Sequence, residues 1–484
     1  MPQDLINSLI LFFPELLIVI TVVLAIIFDL IPRTRWYVKY LSLLGLSLSI
    51  TYVINSFALS LEYDLASIAI FQNMLKVGAF SDFFKIIILF TTIAVLIISR
   101  YNSEIDKEYQ SEYYVLILSM CLGMMLLSSS TNFIMIYLSM ELIGIPSYIL
   151  AGMNKKDSLS NEASLKYIIY GSFASGVMLF GFSWLYGLTG TANLESLNII
   201  GEAMSSPAMY VSFIFVLVGI GYKISMVPFH YWTPDVYEGS PTPITAFFSV
   251  APKVAGIALI IRFIHSAFSF DIELSNSFNW SMIIALLSAV TMTVGNFLAI
   301  KQKNIKRMLA YSSISHIGFI MMSLCVMDDL ASILLYIFIY TFMNLGAFFI
   351  VVFTEEKYGF KEFSDWDGFG YKNSILAAMM ALNMVALTGL PPTSGFIAKF
   401  YIFSDLISSK SFYWLAIIGA INAVVSIYYY FKLLKHMYLN EPNNDIEMKS
   451  GFDLNFIVVV LSIQTLVFYF YWNPLIEVIK KIGL

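Results

Sequence analysis

The chain has 484 residues, 59% hydrophobic and only 12% charged, with a formal net charge of −5. Soluble domains run about 45–50% apolar and about 25% charged, so composition excludes a soluble enzyme and predicts an all-α polytopic membrane protein. The weak negative balance gives no reason to expect a nucleic-acid partner.

In chain order, apolar runs of about 20 residues predict fourteen transmembrane helices. They begin near residues 8, 36, 78, 113, 132, 163, 208, 242, 279, 305, 330, 373, 412 and 453. The first run carries Asp4 instead of a basic start and ends in "IPRTRW" with no small-residue cleavage site, so it reads as a retained helix and not a signal peptide. No stretch resembles a soluble domain, and residues 1–484 are expected to form a single membrane domain.

The Lys and Arg residues test this count. Seventeen of the 27 fall on odd-numbered loops, from Arg33 and Arg35 through Lys155, Lys156 and Lys301 to Lys449, and only Lys76, Lys410, Lys480 and Lys481 fall on the other side. The positive-inside rule then puts the odd loops in the cytoplasm and both termini outside. Six cations remain within spans: Lys85, Lys166, Lys223, Lys253, Arg262 and Lys399. Lys85 and Arg262 lie near outer helix ends and are read as reaching the interface along their stems.

Two segments are too long for one crossing and are interrupted by proline. The seventh, about 208–238, breaks at "MVPFHYWTP", and the twelfth, about 373–409, at "LTGLPPTSG". Proline removes a backbone donor and crowds the preceding turn, and freed carbonyls are tolerated in a bilayer only against protein or water. The two breaks are five helices apart, an odd offset, so helices 4–8 (111–266) and 9–13 (279–440) are expected to be inverted repeats. Three helices would precede them (1–110) and one would follow (453–484). Paired broken helices in such repeats point to a transport site.

Several ionisable groups lie within spans. Glu141 lies mid-span in "NFIMIYLSMELIGIPSYILAG", where a lone carboxylate would be protonated or paired with a cation, and Lys223 is a plausible partner. Lys253 is about eleven residues, or about 16 Å, from the inner end of its helix, too far for its stem to reach water. Lys399 follows the second break. For Lys166, near the cytoplasmic end, an interfacial and a functional reading both stand. His230 and His316 suit either a helix–helix hydrogen bond or a proton relay. The result is a line of Glu, Lys and His through the membrane interior, fit to hold and pass protons. No metal cluster or nucleophile triad emerges. Cys121 and Cys325 stand singly in apolar runs and read as small buried hydrophobes. With no CxxC pair, P-loop or dinucleotide fingerprint, any redox cofactor is expected in a partner chain.

The stretches "YLSMELIGIPSYILAG", "KYIIYGSFASG", "GYKISMVPFHYWTPDVYEGSPTPITAFFSVAPKVAG" and "NIKRMLAYSSISHIG" resemble the signature segments of the antiporter-like subunits of respiratory complex I, the NADH–quinone oxidoreductase. The resemblance covers essentially the whole chain. A subunit of the L kind carries a further lateral helix after the fourteenth, and one of the M kind usually has glutamate where this chain has Lys399. The resemblance is therefore closest to the N kind. It implies a proton-translocating subunit of a bacterial inner-membrane complex. Glu141 and Lys223 match the buried pair whose separation tunes the lysine's hold on its proton, Lys253 the central relay and Lys399 the outward terminus. Lys166, His230 and His316 match auxiliary positions. FMN, iron–sulfur clusters, NADH and quinone would belong to partner subunits, and the membrane neighbours would be subunits M, J, K and A. The same fold and lysine axis occur in multi-subunit Na⁺/H⁺ antiporters and membrane-bound hydrogenases, which stand as the alternative. A passive membrane scaffold fits less well, because each intramembrane charge costs insertion energy that a scaffold need not bear.

Overall fold

The computed structural model describes residues 3–101, 103–199, 207–268, 280–326, 330–442 and 451–483, so Lys449 of the charge count lies outside the described residues. The chain opens with α1 (Gln3–Leu11), α2 (Phe13–Leu30) and α3 (Val38–Glu62), then a short antiparallel hairpin, β1 (Ile68–Ile70) and β2 (Leu75–Val77). Next come α4 (Ala79–Ile98), α5 (Gln110–Ser129), α6 (Phe133–Ala151), α7 (Ser158–Thr189), α8 (Pro207–Ile224), α9 (Trp232–Gly239) and α10 (Thr242–Phe268). The second half holds α11 (Trp280–Ile300), α12 (Ile305–Leu324), α13 (Ala331–Tyr358), α14 (Phe369–Lys372), α15 (Ser374–Thr388), α16 (Ser394–Ser409), α17 (Tyr413–Leu439), α18 (Phe452–Phe470) and α19 (Trp472–Lys480).

Twelve of these helices are long and apolar enough to cross a membrane. The two remaining expected segments correspond to α12, which opens with Lys306 and Arg307, and to the α15–α16 pair, whose halves have 15 and 16 residues. Both are shorter or more polar than an ordinary span because they line the interior.

Helices that are apolar all round sit either in a protein core or in lipid, and burial separates the two cases here. The best apolar window of α10 is 100% buried and that of α13 89%, against 28% for α2, α3 and α18. α10 is the central post, packed on α4, α5, α8 and α13. The outer helices present their apolar residues outward, as Phe173, Ile169 and Val424 do, consistent with a lipid-facing surface.

Both expected breaks are present. α8 ends at Ile224, Ser225 takes a left-handed φ of 65°, and a turn through Val227–Pro228 leads to α9. α15 ends at Thr388, Gly389 has φ 80°, and Pro391–Pro392 leads into α16. A positive φ suits glycine but costs a serine, so Ser225 holds the first turn by two tight backbone bonds: its own N–H to Tyr222 O (3.1 Å) and that of Met226 to Gly221 O (2.7 Å).

Two readings need correction. Lys85 does not reach the interface: it is 0% exposed and 2.7 Å from Glu15 of α2. Arg262 is also buried, donating from Nη2 to Ser128 O (3.2 Å) with its guanidinium over the Phe80 ring. Each found a partner contributed by a helix distant in sequence, which made the reach to the surface unnecessary. Both cysteines are buried and free, as expected.

Candidate functional site: a buried polar line along one helix face

Lys223 closes α8 in its last turn and is 3% exposed. Its stem lies against Gly256 of α10, where an added Cβ would stand 3.7 Å from Lys223 Cγ. Gly256 is three residues after Lys253 on α10, so the Lys223 stem packs about one turn along α10 from Lys253. Glu141 is half-buried in the middle of α6. Its charge reaches Lys223 as well as Tyr148 and Tyr222, yet the two do not form an ion pair. The expected partners are neighbours held apart.

Lys253 is 1% exposed, donates from Nζ to Ser313 Oγ (2.6 Å) and faces the Tyr237 ring at 5.5 Å. Pro252 beside it explains the arrangement. A proline leaves the carbonyl four residues back without its helical donor, and that carbonyl, Phe248 O, accepts instead from Tyr237 Oη at 3.2 Å. The carbonyl freed by Pro252 in α10 therefore holds Tyr237 of the short helix α9 beside the lysine.

Ser313, His316 and Phe319 follow at three-residue intervals on one face of α12, each about 4.5 Å further along. Ser313 receives Lys253. His316 is 3% exposed and bonded at both ring nitrogens, Nδ1 to Tyr336 Oη (2.7 Å) and Nε2 to Tyr430 Oη (3.1 Å). Tyr430 also bonds Ser312. Phe319 lies under the Lys399 ammonium at 4.6 Å. Lys399 Nζ donates to the carbonyls of Leu387 (3.2 Å) and Thr388 (2.8 Å), the last residues of α15. A helix C-terminus presents unpaired carbonyls and partial negative charge, so the second break builds the seat for this lysine.

A neutral imidazole has one donor and one acceptor nitrogen, so one tyrosine must donate to His316 and the other accept. Tyr430→Phe removes one of the two partners and leaves the ring in place. Proton movement is expected to fall by about tenfold, less than the about 10²–10⁴ lost with a proton-transferring group itself, with assembly kept. Acidification assays on membrane vesicles check this.

The other expected residues lie elsewhere. His230 is 4% exposed in the turn after α8, with its ring tilted against that of Tyr231 at 4.6 Å; among the described residues no hydrogen bond joins it to a lysine. Lys166 is 36% exposed and bound to Glu162 (2.6 Å) and Asp235 (2.5 Å), the latter also paired with Arg307, which reaches Glu238 as well (2.7 Å). This is a partly exposed ion-pair network that ties α7 to α9 and α12. A second, buried pair, Lys306 with Glu355 (3.2 Å), borders a polar cavity of about 40 Å³ also lined by Glu104, Glu238, Ser240 and Asn304, room enough for water. Among the described residues no group is arranged to hold a metal ion. Sequence reading missed Tyr237, Ser313, Tyr336 and Tyr430; the "APK" in α10 and the three-residue spacing along α12 were the available signals.

A bundle with two broken helices and a buried lysine line is the architecture of ion-translocating membrane subunits. Residues 130–426 match the family of NADH:quinone oxidoreductase/Mrp antiporter transmembrane proteins, to which the chain belongs. Within it the chain belongs with the curated NADH-quinone oxidoreductase subunit N proteins: the "NADH-quinone oxidoreductase subunit N 2" of Chloroherpeton thalassium is 40% identical over 98% of this chain and 94% of its own. Among solved structures, a chain of respiratory complex I from Thermus thermophilus with bound aureothin superposes with TM-score 0.81 at 25% identity, covering 97% of this chain and all of that one. The Mrp complex from a Dietzia species matches in fold at 0.83, with 19% identity, over 99% and 97% of the two chains.

Proposed function

We propose that this chain translocates protons as the subunit N component of a bacterial NADH–quinone oxidoreductase, along a line from Glu141 through Lys223, Lys253, Ser313 and His316 to Lys399. One observation carries the path: a single face of α12 presents the acceptor of Lys253, then the doubly bonded His316, then the ring under Lys399. Lys253 and Lys399 each end on groups that keep an ammonium solvated without a fixed carboxylate, so a proton can be gained or lost there without stranding a counter-charge. The gap between Glu141 and Lys223 leaves the lysine's proton affinity adjustable by a small approach of α6 to α8.

In this reading the chain makes fourteen crossings of the inner membrane, with both termini on the outer side and residues 111–266 and 279–440 as inverted repeats. Subunits M, J, K and A would be its membrane neighbours, and the partner subunits would hold the FMN, iron–sulfur clusters, NADH and quinone. The chain's own residues bind and move protons and carry no electrons. The test is to tag the chain, extract native membranes in mild detergent and assay the purified assembly. Co-purifying flavin with NADH oxidation supports the reading. An intact assembly with neither, showing Na⁺-dependent proton exchange, would replace it with an antiporter subunit.

A further inference from the structure

The three helices that precede the lysine line hold a second set of buried charges. Glu15 lies in the first turn of α2, Asp82 in the first turn of α4 and Lys85 one turn later. Lys85 Nζ is 2.7 Å from Glu15 Oε1 and 3.9 Å from Asp82 Oδ1, and all three side chains are at most 3% exposed. Asp82 Oδ2 is 2.8 Å from the Ser56 hydroxyl of α3, whereas Glu15 Oε2 is buried without a hydrogen-bond partner.

Two carboxylates here face one ammonium. Among the described residues, α3, α5 and α10 bring them no second neutralising cation. α3 offers the Ser56 hydroxyl, α5 the Cys121 thiol near Glu15, and the α10 guanidinium, Arg262, is directed at Ser128 O and the Phe80 ring. The helix starts add partial positive charge, but neither carboxylate accepts a backbone N–H there. A leftover full charge in a site this closed costs several kcal/mol, and binding one proton removes it.

We propose that Glu15, Asp82 and Lys85 form a proton-binding site separate from the lysine line, in which Asp82 holds the proton and Glu15 is the anion paired with Lys85. The distances make the assignment. The ammonium sits against Glu15, whereas the close partner of Asp82 is a hydroxyl, which can accept from a carboxylic acid as readily as donate to a carboxylate. This does not rest on the proposed proton path.

The test compares wild type, Asp82→Asn and Glu15→Gln in the full chain within its assembled complex. Asparagine imitates the neutral acid, so Asp82→Asn is expected to assemble within about twofold of wild type. Glutamine at 15 leaves Lys85 only the more distant Asp82 and is expected to lower assembled complex by about tenfold or more. The second readout is the unfolding rate of this chain in the detergent-extracted complex across about pH 5–8. A proton held by Asp82 only in the folded chain makes wild type lose stability as pH rises, so the ratio of wild-type to Asp82→Asn unfolding should climb with pH, by at most about tenfold per unit. A constant or falling ratio, or failure of Asp82→Asn to assemble, overturns the proposal. Wild-type assembly of Glu15→Gln overturns the assignment of the anion.

Discussion

In the assembled complex, Lys223→Ala is expected to lower proton pumping by about tenfold or more while flavin reduction by NADH continues. Lys223 is buried and forms no ion pair with Glu141 among the described residues, so the change removes a proton carrier without breaking a salt bridge. Loss of a group that transfers protons costs about 10²–10⁴ in rate when transfer limits turnover. The electron-transfer groups are expected in other chains, which is why flavin reduction should be spared. The measurement is protons moved per NADH oxidised in reconstituted vesicles, with flavin reduction followed separately. An unchanged ratio in the variant would remove Lys223 from the path. Glu141→Gln gives a graded companion: because Glu141 acts on Lys223 through its charge and not through contact, pumping should fall less than in Lys223→Ala.

Gly395→Ala is expected to be among the most damaging glycine-to-alanine changes at the described residues. Gly395 lies in the first turn of α16, and a Cβ there would run into the backbone carbonyl of Ala386 in the last turn of α15. Neither side of that contact can rotate away, since both are backbone. The halves of the broken helix must move apart, at a cost of about 1–3 kcal/mol or more for overpacking. That movement also pulls Lys399 from the carbonyls of Leu387 and Thr388, whose bonds depend on the close passage of α16 beside the end of α15. Reduced assembly is expected, and the complex that does assemble should pump poorly although every titratable residue is present. Gly176→Ala is the control: nothing lies within 4 Å of its added Cβ, and alanine favours a helix over glycine by about 0.8–1.0 kcal/mol. Equal assembly of the two variants would show that the contact between the half-helices does not hold the site.

Several features were legible in the sequence because their causes are local. Hydrophobic runs of about 20 residues mark spans whatever they pack against. Pro228 and the pair Pro391–Pro392 interrupt their helices through covalent geometry alone, and both breaks appear where the sequence puts them. Lys223, Lys253 and Lys399 stood out because an ammonium in a long apolar run needs a reason wherever it ends up. All three are buried around α10, α12 and α15.

What the tertiary structure decided was which side of each helix faces protein. In a span that is apolar all round, periodicity does not distinguish a lipid-facing residue from a core one. Hence Lys85 and Arg262 read as interfacial, until packing brought Glu15 to the first and Ser128 O to the second. Lys166 could not be assigned from sequence for the same reason, and only the fold set Asp235 and Glu162 beside it. The tyrosines that clamp His316 come from 20 and 114 residues away, on helices whose rotation no local pattern specifies. The sequence by itself determined that charges would be buried beside two broken helices, since those are consequences of composition and proline. Only the packing of α9, α12 and α15 around α10 determined what each charge touches, because those contacts join residues that the chain brings together only on folding.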